Sequence, residues 1–311
     1  MTQTFDLLIK NGKIVDGSGN PAFLGDIGVK DGKITAVDAA GNLDGDAAET
    51  IDANGMVVAP GWVDIHTHYD GQVTWDPYLS PSSWHGVTTV VMGNCGVGFA
   101  PVRPESHDFL IELMESVEDI PGTALHEGID WQWETFPEYL DFLDKMPRVL
   151  DVAAQMPHCS LRAYVLGDRA HDLELTPEEM TKMAELTKEA LDAGAVGFST
   201  SRTILHRSSH GLVPGTYSHP AELETIGDAM GAAGHGVFQL VSDNAGKPDE
   251  MSWIRRFCET TGRPLTYLMA QSRDNPTGYL DMLDEALKLQ KDGIAIVPQV
   301  PGRPTGMLYG L

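Results

Sequence analysis

His66 and His68 stand two residues apart in GWVDIHTHYD, at the close of an apolar run. Side chains alternate faces along an extended strand, so both imidazoles are expected to leave the same side. Two neutral ring nitrogens on one face can grip a metal ion; a satisfied structural pair is the plainer alternative. Asp64, one layer lower, and Asp70, just beyond, are candidate acceptors for the ring N–H groups. Cys95 closes the next run in MGNCGVG, at the top of what would be the neighbouring strand. As a thiolate it is a strong zinc ligand, and as a thiol it is a small buried hydrophobe. His158, in MPHCSLRAYVLG, is placed to line the same site. Cys159 and Cys258 read as packing residues. His206, His210 and His219 fall in a polar segment where solvated histidines are ordinary, with His219, directly before Pro220, at a helix start.

Two motifs point to other chemistry and fail. GSGNPA at 17–22 loosely matches a dinucleotide fingerprint, but Pro21 and the strand-like DIGVKDGKI remove the helix that would hold the phosphates. GFSTS at 197–201 lacks the second glycine of a nucleophile elbow, which leaves Ser199 as a polar residue at a strand end.

The elements that must position these residues are of two kinds. The first sixty residues are short β-branched runs broken by NG, DG and NG, a small β-sheet unit. From residue 61 onward, short apolar runs alternate with amphipathic helices, the pattern of parallel β/α architecture. The runs are 61–68, 86–96, 151–167, 195–201, 236–243, 264–271 and 293–300. Thr176, Pro177 and Glu179 form a capping box ahead of a helix that Gly194 ends. The long interval between residues 86 and 151 holds an insertion, with helical, aromatic and acidic segments over 107–145. It is placed either over one end of a barrel or against its outside. The expected fold is α/β: a (β/α)8-type barrel over 61–311, lacking its eighth strand, with an insertion at about 100–150 and a small β-sandwich portion over 1–60.

Composition excludes several classes. A net charge of −24 repels phosphate backbones and anionic lipid, so nucleic acid is not an expected partner. Three cysteines with no CxxC pair exclude a disulfide scaffold or a four-cysteine zinc knuckle. No apolar run approaches the ~20 residues of a membrane span, and MTQTFDLLIKNGK lacks the plan of a secretory signal, so the expectation is a cytoplasmic protein with no membrane contact.

Taken together, LLIKNGKIVDGSGNP with DIGVKDGKITAV, APGWVDIHTHYD, GNCG, PHCSLRAYVLG and GFSTS resemble the amidohydrolase superfamily, in its D-aminoacylase branch. The resemblance implies a zinc enzyme, with one or two ions, that hydrolyses the amide of an N-acyl-D-amino acid. It implies His66, His68 and Cys95 as metal ligands. Arg202, just past the fourth run, is then a candidate grip on a substrate carboxylate, or else a surface ion pair. Further ligand histidines are expected at the ends of the fifth and sixth strands, where this chain has Val241 or Ser242 and residues around Met269. The catalytic aspartate belongs to an eighth strand, which would lie past Leu311, so little deacylase activity is expected of these 311 residues alone. Alternatives are a hydantoinase-like cyclic-amide hydrolase and an inert fragment or binding protein. Cyclic-amide members carry a bridging lysine at the fourth strand, which AVGFSTS lacks.

Overall fold

A computed structural model describes residues 3–302 and divides into two compact units, Met1–Trp62 and Val63–Leu311. The first unit is a five-stranded sheet. Strands β1 (Gln3–Ile14), β2 (Phe23–Lys30), β3 (Lys33–Ala39) and β4 (Gly45–Asp52) lie in the order β3-β2-β1-β4, and β5 (Val57–Val58) also pairs with β1. The DG and second NG signals make turns, with Asp31, Gly32 and Gly55 at positive φ. The first NG does not. Asn11 and Gly12 form a bulge inside β1, where Asn11 adopts φ 62° and the register to β2 shifts. The bulge is held by Asp26, a fully buried carboxylate on β2. Its Oδ1 accepts from Asn11 N–H at 2.8 Å and its Oδ2 from Gly41 N–H at 2.8 Å. Phe5, Leu8 and Leu43 form the apolar core of this unit.

The second unit carries a seven-stranded sheet among the described residues. Its strands are β6 (Trp62–Asp64), β7 (Val87–Met92), β8 (Asp151–Pro157), β9 (Gly197–Arg202), then, after a small hairpin of β10 (Arg207–Ser208) and β11 (Gly211–Leu212), β12 (Val237–Ser242), β13 (Leu265–Leu268) and β14 (Ile296–Gln299). They lie side by side in chain order, and the pairings from β7 onward are parallel. The sheet curls until its two ends meet: Gln299 Oε1, on β14, lies 2.8 Å from Nδ1 of His66, just past β6. This is the α/β barrel-type architecture that the alternation of runs and helices predicts.

Helices α1 (His107–Glu118), α2 (Gly122–Gly128) and α3 (Phe136–Lys145) lie between β7 and β8. They are followed along the chain by α4 (His158–Leu166), α5 (Pro177–Asp192), α6 (Pro220–Ala233), α7 (Pro248–Thr261) and α8 (Gly278–Lys291). Thr176 caps α5 with Glu179 in a reciprocal box, and Thr135 with Glu138 does the same for α3. His219 caps α6, its ring accepting from Ala221 N–H at 3.2 Å. None of the described helices is long and apolar enough to cross a membrane.

Two boundaries differ from the sequence pattern. The apolar run 151–167 is not one strand: it turns at Pro157 into α4, a helix buried on nearly all sides, whose composition is as apolar as the strand before it. The first barrel strand is only three residues long, so His66 and His68 lie beyond it in irregular backbone, and alternation along a strand is not what brings their rings together.

Alternation does organise the barrel interior. Phe198 on β9 and Phe238 on β12 are in register and pack outward, with the Phe238 ring edge-to-face with Phe257 of α7 at a centroid distance of 4.7 Å. The next residues along, Ser199 and Gln239, are also in register, are fully buried, and reach the functional site instead. Asp26→Ala is expected to cost the first unit about 1–3 kcal/mol, because it strands two backbone donors. Denaturant unfolding of the variant measures this, and a loss under ~0.5 kcal/mol would show that the bulge holds without it.

Candidate metal centre

The site is built around the turn Gly93–Asn94–Cys95–Gly96. Cys95 adopts φ 57°, unusual for a residue with a side chain, between Gly93 at φ 74° and Gly96 at φ 73°. Both glycines are dictated by close approach. A Cβ on Gly93 would lie 2.2 Å from Gln155 O, and one on Gly96 would lie 3.1 Å from Ser201 N and Thr200 Cα. A buried turn must place its polar groups on partners. Cys95 N–H donates to Gln239 Oε1 at 2.9 Å, and Gly96 N–H to Ser199 Oγ at 2.9 Å. Ser199 Oγ in turn donates to Gly93 O. Asn94, with no exposure, accepts from Gln155 Nε2 at 2.8 Å and donates to Thr67 O at 3.2 Å and Val91 O at 2.9 Å. Ser199 is thus a structural tie, and its hydroxyl is sealed from any substrate.

Through Thr67 the turn sets the histidines. Thr67 N–H and Oγ1 both bond Val91 O, at 3.0 and 2.8 Å, fixing the backbone between the two imidazoles. One ligand atom each of His66, His68 and Cys95 falls within 4.8 Å of the others, and His66 Nε2 lies 3.1 Å from Cys95 Sγ. The structure therefore brings these three sequence candidates to one point. Asp64 and Asp70 do not accept from the rings. Asp64 Oδ1 accepts from the backbone N–H of His66 at 3.3 Å, while Gln299 serves the His66 ring. Asp70 is buried with its Oδ2 unpartnered.

His158 and Arg202 are not in this cluster. His158, now the first residue of α4, is fully buried, with Nδ1 2.8 Å from Thr200 Oγ1 and Nε2 2.8 Å from Glu222 Oε1. Glu222 also pairs with buried Arg162. Arg202 Nε donates to Glu250 Oε1 at 2.9 Å and its Nη1 to Ser218 O at 3.1 Å, with the side chain 12% exposed. Both side chains are committed to internal partners.

Two residues that sequence reasoning passed over join the site. Glu118, the last residue of α1, places Oε1 3.3 Å from His68 Nε2. His206 is not a solvated loop histidine. It is partly buried, its Nδ1 is 2.8 Å from Ser201 Oγ, and it groups with Cys95 and Glu118, again with donor atoms within 4.8 Å of one another. Burial dominates the electrostatics. It lowers His68 to about 3 and His206 to about 4, and raises Asp70 to about 7. Burial, then the charges of Asp70 and Asp119, raises Glu118 to about 8, and burial followed by Glu118 pushes the Cys95 thiol well up. Several acids are thus crowded together with neutral imidazoles and no basic side chain between them. That arrangement favours a cation. A cavity of about 600 Å³ opens past the ends of β9, β12 and β13, walled in part by His206, Asp243, Lys247, Ser272 and Tyr279.

A curled parallel sheet with two histidines and a cysteine converging past its first two strands is a barrel-type framework carrying a candidate metal site. A family model described as the amidohydrolase family matches residues 49–306, and the chain belongs to that family. It is similar to an uncharacterised protein of Mycobacterium tuberculosis, 40% identical over 204 residues, which cover 64% of this chain and 33% of that protein. A D-aminoacylase of Alcaligenes xylosoxydans xylosoxydans is 38% identical over 200 residues, 64% of this chain and 38% of its own. The crystal structure of an N-acyl-D-glutamate deacylase from Bordetella bronchiseptica, complexed with zinc and a phosphonate inhibitor, aligns with a TM-score of 0.77 at 26% identity over 96% of this chain and 58% of that one. The chain thus spans little more than a third of the length of the curated relatives it matches.

Gly93→Ala is expected to destabilise the second unit by ~3 kcal/mol or more, since the new methyl meets a backbone oxygen at a positive φ. Urea unfolding tests this; a loss below ~1 kcal/mol would mean the turn relaxes without strain.

Proposed function

We propose that the chain carries the metal centre of a hydrolase that cleaves the linear amide of an N-acyl-D-amino acid, with zinc held by His66, His68 and Cys95. The observation that carries this reading is the convergence of three ligand atoms, from two separate loops, within 4.8 Å of one another. The residues fit the ion. Two imidazoles and a thiolate are a zinc donor set, His68 Nδ1 is buried without a partner, and the free thiol faces an imidazole nitrogen. When bound, zinc supplies Lewis-acid polarisation of the scissile carbonyl and a water acidified towards pKa ~7.

The protein's own contribution is orientation. Gln299 holds His66 Nδ1 and leaves Nε2 towards Cys95, and Gln239 fixes the backbone of Cys95. The 600 Å³ cavity is of a size for a small acyl amino acid, and Lys247 on its wall is a cation for a carboxylate. The relatives bearing deacylase names support the substrate class, and the missing lysine in AVGFSTS sets the reading apart from cyclic-amide hydrolysis.

Zinc content of the purified protein is expected to fall in His66→Ala, with a 10-fold or greater loss of affinity. Equal zinc in both proteins would remove the pair as ligands. Zinc-dependent release of free D-amino acid from N-acyl-D-amino acids, with hydantoin left intact, would support the linear-amide assignment. Opening of hydantoin instead would overturn it.

A further inference from the structure

We infer that the cavity enclosed by the start of α1, the end of α4 and the turn between β10 and β11 binds a free α-amino acid, taken as its zwitterion. The cavity measures about 460 Å³, within the range of small-ligand sites. It shares no lining residue with the cavity past β9, β12 and β13, so its occupancy does not depend on the metal-centre reading.

Its walls carry charges of both signs that are not spent on one another. Arg103 Nε donates to Tyr164 O at 2.9 Å and its Cζ lies 4.8 Å over the Tyr164 ring, which fixes the guanidinium in place. Among the described residues its two terminal nitrogens have no partner, so the fork that matches a carboxylate is left open. Glu105 and Asp168 line the same cavity and, among the described residues, form no ion pair either. The neighbouring Arg169, by contrast, is spent on Asp172 and Glu179.

His171 calls for a donor. Its Nδ1 is 3.1 Å from Leu212 O, and a carbonyl only accepts, so Nδ1 carries the proton and Nε2 is a lone pair. That Nε2 is buried without a partner, and burial holds the ring below the ordinary imidazole range, which keeps it neutral. An ammonium supplies the missing N–H and offsets the two acids, while the carboxylate of the same molecule takes Arg103. Phe109 packs against both histidines, edge-on to His171 at a centroid distance of 5.9 Å and 6.2 Å from His210. With Ala163 and Ala170 it offers an apolar surface to the amino acid's side chain. A plain carboxylate would leave Nε2 and the acids unmatched, and a plain amine would leave Arg103.

Calorimetric titration of the purified protein with D-leucine and with L-leucine tests this. At least one enantiomer is expected to saturate a single site. Arg103→Gln and Asp168→Asn, both at exposed positions, are each expected to weaken it about 10-fold or more, the loss of one charge-assisted contact. Arg169→Gln makes the same charge change beside the cavity without lining it and is expected to bind leucine as the wild type does. N-acetylleucine keeps the carboxylate and side chain but lacks the ammonium, and isoamylamine lacks the carboxylate; neither is expected to displace leucine. Circular dichroism checks folding, and if Arg103→Gln does not fold, Asp168→Asn reads the site alone. Absence of binding by either enantiomer, or full affinity retained in Asp168→Asn or in a folded Arg103→Gln, would overturn the site. Displacement by N-acetylleucine or isoamylamine as effective as by leucine itself would overturn the zwitterion as its ligand.

Discussion

Everything in the second unit's interior depends on burying one four-residue turn with its polar groups satisfied. Gly93–Gly96 enters the mouth of the sheet, where an unpaired N–H or carbonyl is costly. Gln155, Ser199 and Gln239, from three successive strands, supply the partners. The same alternation that sends Phe198 and Phe238 outward, Phe238 onto α7, turns Ser199 and Gln239 inward, so packing and polar satisfaction are set by one register. Asn94 then passes the constraint on to Thr67, and Thr67 to the two imidazoles. His66, His68 and Cys95 are held by a network in which few members touch their ring or sulfur atoms directly.

Crowding of acids follows from the same enclosure. Asp70, Glu118 and Cys95 are brought together by the loop after β6, the end of α1 and the buried turn, and the basic residues nearby are spent elsewhere. Arg162 serves Glu222, and Arg202 serves Glu250. Those two ion pairs are internally balanced, and that is why His158 and Arg202 have structural work despite lying near strand ends. An unbalanced acidic group beside neutral imidazoles differs in kind from a balanced buried pair.

Much of this was legible in the residues. The βα grammar, the His66–His68 spacing and the position of Cys95 after its run lead to the fold and to three residues that the structure brings together. The signals that were missed are long-range or contrary to habit. A helix buried on nearly all sides, such as His158–Leu166, reads as a continuation of the strand because its apolar residues are not confined to one face. Asn11–Gly12 reads as a hairpin turn because its sequence does not announce that Asp26 will hold it as a bulge. Glu118 looks like any helix-end acid, and only its poor match to the helix dipole hints at another role. His206 sits four residues past the end of β9 amid polar neighbours, and nothing local separates it from His210, whose ring is exposed beside Glu112. Polar residues inside apolar strands, Ser199 and Gln239, were the unused clue: each marks an inward face with something polar to hold.

The pairing of His66 with Gln299 shows why no short segment can carry this site. Those residues are separated by 233 positions and sit at opposite ends of the sheet's strand order, yet their side chains meet at 2.8 Å. The ring orientation of the first donor therefore depends on the twist accumulated over seven strands, each contributing its share of curl. A change that flattens the sheet anywhere along that path alters the separation of Gln299 from His66, and with it the nitrogen that His66 presents to Cys95. The chemistry at one end of the barrel is in this sense a readout of its whole curvature.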